Sequence, residues 1–381
     1  VSAVCAQTKD GGISPQMLQN IKGTGSLSVS DKALANAMRN NSIELLARNF
    51  ETTTLNDTHF SVETPKQSIT NQKSSGRCWM FSGFNVLRAS YTLDRDEAVE
   101  FSQTYLFVYD QLEKSNLFLQ CMIDNAGKSM DDAHLQYILR SPIGDGGTFC
   151  GVADLVEKYG IVPKPVMPET YNSTNTSSIR RLITSKLREG AVQLRKMVAE
   201  GKKAKDLQAA KTEILTTIWR MLTMAYGTPP TEFTYQARDK KGDAIGEPKK
   251  YTPQQYFKEV CPNGLNGTFI MVMNDPRREY HKVYEVDLDR HTYEGHNWKY
   301  LNLPMEDIEA MAIAALKDNR KMYSSYDVGK FIDRKLGYCS LDNYDYGSLF
   351  GTTFTMDKAE RIATFDSGST HAMTLTAVDL N

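Results

Sequence analysis

The stretch that most constrains this chain is residues 71–88, NQKSSGRCWMFSGFNVLR. Gln72 stands six positions before Cys78, with a small Ser-Ser-Gly between them. Trp79, Met80, Phe81, Phe84, Val86 and Leu87 follow the cysteine without a proline, which predicts a buried helix beginning at Cys78. A loop thus delivers a thiol to the first turn of a core helix. The positive end of a helix dipole favours the thiolate, which is the nucleophilic form. Such a nucleophile needs a base, and acyl transfer also needs donors for a developing oxyanion. The Gln72 side-chain amide and the Cys78 backbone N–H are the candidate donors. A lone cysteine in an apolar helix would read as a small core residue. The accompanying glutamine, glycine and tryptophan argue for chemistry instead.

Of the six histidines, His371 has the context of a base. It lies where SGST opens into an alternating strand, with Met373, Leu375 and Ala377 set against Thr374 and Thr376. A histidine at the mouth of a strand is presented rather than buried. There it can take the thiol proton and later return it to a leaving amine. His281, His291 and His296 lack His-Glu-x-x-His spacing and read as surface or structural residues, not as metal ligands.

Gln-x5-Cys-Trp resembles the nucleophile segment of papain-like cysteine peptidases, and NQKSSGRCW resembles the bleomycin hydrolase and aminopeptidase C branch of them. Residues 101–116 (FSQTYLFVYDQLEKSN), 145–164 (DGG followed by DLVEKYGIVPK), 326–330 and 366–378 resemble the same branch. The resemblance covers roughly residues 8–378. It implies an α+β, papain-like fold: a helical half carrying Cys78, a β-barrel-like half carrying His371 across a cleft, and a helical insertion that builds subunit contacts. It also implies a thioester-forming aminopeptidase acting on peptides, with Cys78, His371 and Gln72 as its catalytic residues and no cofactor or metal. The implied assembly is a homohexamer with sites facing an internal cavity. The branch orients its histidine with an asparagine in an Asn-Ser-Trp segment beyond it. No such segment occurs here, and Asn381 does not match it. Two readings stay open: the natural chain continues past residue 381, or this is a catalytically impaired scaffold that binds peptides.

The resemblance and the composition shifts divide the chain into four segments. Residues 1–60 are an N-terminal arm and helix, and 61–170 the nucleophile half. Residues 171–262 are a mainly helical insertion, and 263–381 a β-rich half, incomplete at its end. Residues 8–30, rich in Gly, Ser, Thr and Asn, read as irregular, with a helix starting after Ser30-Asp31. Residues 50–70 read as β-prone, and residues 268–273 as a strand. Ser102, Asp132, Thr252-Pro253 and Pro304 mark helix starts, and Gly160 a helix end.

A formal charge of −1 removes any global reason to expect nucleic acid or an anionic membrane as partner. The Lys202, Lys203 and Lys205 cluster reads as a solvated helix face. The six cysteines are scattered without a Cys-x-x-Cys pair, which speaks against a disulfide framework or a zinc site. No run approaches the ~18 apolar residues of a membrane span. Residues 1–7, VSAVCAQ, fit the tail of a secretory signal cleaved near Ala6 and equally an arbitrary start. Export stands open beside the cytoplasmic location that the resemblance implies.

Overall fold

Cys78–Tyr91 is the helix on which the core is built, with Trp79, Met80, Phe84 and Leu87 buried along it. The computed structural model describes residues 11–55 and 57–380. The signal-like start at residues 1–7, with its Cys5, and Asn381 lie outside the described residues. Two helices pack directly on the Cys78 helix. One is the helix Phe149–Tyr159, which Gly83 lets come close: a Cβ at Gly83 would sit 2.8 Å from Val152 Cγ2. The other is Gln103–Asp124, capped by the Ser102 hydroxyl, which accepts from Tyr105 N at 3.0 Å. Its Tyr105, Leu106, Phe107, Phe118, Leu119 and Met122 are buried.

The expected helical stretch after residue 179 is a hairpin of two helices, Ser177–Ala199 and Ala204–Tyr226, both packed on Gln103–Asp124. Lys202, Lys203 and Lys205 are exposed at its turn. Gly160 ends Phe149–Tyr159 with φ 74, and a side chain there would run into the Pro253 backbone. Pro253 opens Pro253–Val260 behind a Thr252–Gln255 capping box.

The described strands form small sheets. Val272–Met273 and Lys282–Val286 flank Trp298–Asn302. Met322–Tyr326 pairs antiparallel with His371–Leu375, with Tyr326 opposite His371. Val62–Glu63 pairs with Ala377–Val378. The helix Met305–Lys317 follows Pro304.

Four expectations need correction. The supposedly irregular arm holds a helix, Pro15–Thr24, with Ser14 as cap and proline in its first turn. The next helix begins earlier than Ser30-Asp31, because Ser28 caps it and Asp31 reciprocates from the third helical position. The strand expected over 268–273 is only Val272–Met273. Thr268 is still held in the preceding turn, with its N–H and hydroxyl both donating to Leu265 O. Among the described residues of 50–70, only Val62–Glu63 is strand. The hydroxyls of Thr52 and Thr54 donate to Asn49 O and Glu51 O and hold a short 3-10 turn, Glu51–Leu55, in place of extended chain.

The chain divides into two units. One comprises the described part of Val1–Thr58 with Val328–Met356, tied by Asn343, whose carbonyl oxygen accepts from Asn49 N at 2.9 Å. The other, the described part of His59–Asp327 with Asp357–Asn381, holds Gln72, Cys78 and His371.

Gly83→Val should overpack the crossing of the Cys78 and Phe149 helices and cost about 1–3 kcal/mol. A thermal melt equal to that of the parent would show that the crossing has slack.

Candidate active site

The loop before Cys78 is closed by its own polar groups. Asn71 Oδ1 accepts from Lys73 N at 2.8 Å, and Lys73 takes the left-handed conformation with φ 54. The Ser75 hydroxyl donates to Gln72 O at 2.7 Å, and Gln72 Nε2 donates back to Ser75 O. An amide nitrogen carries two hydrogens, so one N–H is used inside the loop.

Asp145 then takes hold on both sides of the cysteine. Its Oδ2 accepts from Gly76 N at 3.1 Å and from the Thr176 hydroxyl at 2.5 Å, and its carbonyl accepts from Trp79 Nε1 at 2.7 Å. Gly76 is required there, because a Cβ would lie 2.8 Å from Asp145 Cβ. Arg77 is fully buried. It forms a bidentate pair with Glu169 at 3.1 and 2.7 Å and lies over the Phe81 and Phe107 rings. Burial raises the Glu169 pKa, but the hydrogen bonds and charge of Arg77, with Ser173 and Thr104, outweigh it and leave the carboxyl below its ordinary 4.5. Cys78 itself is half-buried and starts the helix.

His371 is half-buried at the first position of its strand, directly after Thr370 N donates to Tyr326 O at 2.9 Å. The strand packs on the Cys78 helix. Small residues meet the helix: Ala372 is buried, and the Thr374 hydroxyl donates to Ser82 O at 3.4 Å. Positions 372 and 374 share one strand face. A second tie lies just beyond. Thr64 N and its hydroxyl both donate to Thr376 O, at 2.9 and 2.8 Å, next to the Val62–Glu63 pairing with Ala377–Val378. The chain between Thr64 and Gln72 runs along the helix, where Arg88 donates to Ser68 and Asn85 donates to Thr70. The segment leading into Cys78 and the segment leaving His371 are therefore laced together. Burial pushes the Tyr323 phenol up, with the nearby Cys78, Cys150 and Asp289 adding to it.

Other polar groups around Cys78 are not singled out by the sequence. Arg77 and Asp145 stand inside the recognisable strings, yet nothing local reveals their partners. His291 is buried, with 1% of it exposed, and its Nδ1 lies 2.6 Å from Asp110 Oδ1. Its ring is 4.6 Å from that of Trp79. Burial raises the Asp110 pKa, but Lys114 and His291 outweigh it and leave the carboxyl below the ordinary value. His281 is at the surface near Asp307, and His296 pairs with Asp154. Among the described residues no cluster of three or more His, Cys, Asp or Glu residues could hold a metal. The cysteines among them are free thiols. No described helix is long and apolar enough to cross a membrane.

Residues 12–381 match the Peptidase C1-like family. The chain is 37% identical over 349 residues to Aminopeptidase C of Lactobacillus delbrueckii subsp. lactis, a match spanning 91% of this chain and 77% of that protein. It is 37% identical over 319 residues to bleomycin hydrolase of Homo sapiens, spanning 81% and 70%. The crystal structure of PepW from Lactobacillus rhamnosis HN001 superposes with a TM-score of 0.91 at 35% identity, covering 97% of this chain and 83% of that one.

Glu169→Gln leaves the Arg77 guanidinium buried without its counter-charge and should cost about 3–5 kcal/mol. The depressed Glu169 carboxyl contributes stability above its unfolded pKa, and that contribution is lost as pH falls through the folded value. The gap in urea stability between parent and variant should therefore be full at neutral pH and shrink below the ordinary carboxylate range. A gap that stays constant to low pH would contradict the assignment.

Proposed function

The chain belongs to the Peptidase C1-like family of cysteine peptidases and has its papain-like mixture of helix and sheet, and from that premise we propose that it is a cysteine-type aminopeptidase. Cys78 is the nucleophile, His371 the general base and acid, and Gln72 an oxyanion donor. The Cys78 thiolate attacks the scissile carbonyl. Charge on the resulting oxyanion is met by the Cys78 backbone N–H and by the Gln72 N–H not used for Ser75. The histidine then protonates the leaving amine, and water cleaves the thioester.

The observation that carries this reading is the lacing of the two segments: Thr374 to Ser82, and Thr64 to Thr376. It supports a shared neighbourhood for a thiol at a helix start and an imidazole at a strand start. The restriction to N-terminal residues is supported by the names of the relatives, Aminopeptidase C among them. We read the His371-bearing strands as the barrel-like half and the 177–226 hairpin as an insertion for subunit contacts. Exposed Leu182, Val192 and Met224 on the hairpin favour that use. A homohexamer is the assembly this reading expects. Light scattering would return a mass near six times 42.9 kDa, and a monomer would refute it.

Cys78→Ala should abolish hydrolysis of aminoacyl amides while the melt stays close to that of the parent. Retained turnover would remove the cysteine from the chemistry. Gln72→Ala should lower kcat by about 10²–10³-fold, and a loss of only a few-fold would take the amide out of the site.

A further inference from the structure

One segment is fixed far more firmly than a surface connection needs to be. Residues 287–297 join the strands Lys282–Val286 and Trp298–Asn302, and Trp298 N donating to Asp289 O at 3.1 Å closes the base. The segment docks on one face of the helix Phe149–Tyr159. Gly151, Asp154 and Lys158 lie three and four positions apart, so they line that face. Gly151 receives the His291 ring, and any side chain at Gly151 would collide with it. Asp154, itself buried, accepts from His296 N and pairs with His296 Nδ1, both at 2.7 Å. Lys158 reaches Glu294 at 2.5 Å.

The inner end goes deeper. The His291 ring also fills the space that a side chain at Gly147 would need, and it lies against Trp79. Asp110 anchors the ring and pairs with Lys114 at 2.9 Å. Lys114 in turn donates to Gly144 O at 3.1 Å and to Gly146 O at 2.7 Å. Trp79 donates to Asp145 O from the same loop. His291 therefore wedges the 144–147 loop and Trp79 against each other, one residue from Cys78.

We infer that His291 and His296 are positioning residues: a two-point clip, inner and outer, that sets the 144–147 loop and Trp79 against Cys78. This rests on the peptidase reading above. Neither histidine reaches the reacting atoms. The clip acts through the placement of the wall beside the thiol, where a displacement of an ångström is enough to lower a rate strongly. The clipped segment continues through Trp298–Asn302 and Met305–Lys317 into Met322–Tyr326, which pairs with the His371 strand. The clip thus also anchors the chain that leads toward the proposed base.

The test compares His291→Asn and His296→Ala with the parent in three measurements: kcat and KM on an aminoacyl amide, the rate of Cys78 alkylation by iodoacetamide, and the thermal midpoint. His296 is the safer variant for folding, because its side chain is 68% exposed. His291→Asn is expected to lower kcat about ten-fold or more with KM nearly unchanged, and His296→Ala to lower it by about three-fold, with alkylation slowed in parallel. A fall in the midpoint with kcat and alkylation unchanged would reduce the clip to a structural brace and overturn the inference. Turnover retained by Cys78→Ala would instead overturn the peptidase reading, so the two failures are distinguishable.

Discussion

Asp145 is the interaction on which the site depends. Its carboxylate accepts from the backbone two residues before Cys78, and its carbonyl accepts from the indole one residue after it. A thiol at the start of a helix has useful geometry only if the loop before it and the helix after it are held to the same body. One residue of a neighbouring loop supplies both bonds. The same carboxylate takes the Thr176 hydroxyl, so the start of Ser177–Ala199 is drawn to this point as well. The close approach is why position 76 has no side chain.

Around that point the protein buries charge where an apolar core would be simpler. Arg77 with Glu169, and Asp110 with Lys114 and His291, are ionisable groups removed from water. Buried pairs offer little net stability over well-packed apolar residues. What they impose is geometry, since a bidentate guanidinium or a ring held by a carboxylate tolerates little displacement. Both networks lie beside Cys78, one at residue 77 and the other against residue 79. Placement of the proposed nucleophile is what such constraint can serve.

The parts legible in the sequence are those whose physics is local. Ser102, Asp132, Thr252 with Pro253, and Gly160 announce helix ends because their caps bond within a few residues. The apolar run after Cys78 marks its helix, and the Gln72–Cys78 spacing and the His371 context mark the candidate site. The helix at Pro15–Thr24 was hidden by turn-forming composition, although Ser14-Pro15 is itself a start signal. The strand over 268–273 read too long because β-propensity does not reveal where a partner strand begins. Arg77 and Glu169 are 92 positions apart, and His291 and Asp110 are 181 apart. No periodicity connects them, so their meeting is a property of the packed fold alone.

One long-range connection matters most for the proposed chemistry. Thr64 and Thr376 are 312 positions apart, yet one lies just upstream of the Gln72–Cys78 loop and the other just downstream of His371. Closing a loop of that size costs entropy that grows only with the logarithm of its length, so the cost is not the obstacle. The requirement is that everything between must already be in place: the Cys78 helix, the helices packed on it, and the sheet that leads to Met322–Tyr326. Only then do the two short strands register, Val62 opposite Val378 and Glu63 opposite Ala377. A one-residue slip would turn every side chain of the short strand to the other face. It would also move Thr376 from Thr64, and with it the start of the strand that presents His371. Beside the direct packing of the His371 strand on the Cys78 helix, the proposed thiol and its base are therefore tied through the register of two residues of strand, and the Thr64 hydroxyl and N–H, both on Thr376 O, support that register.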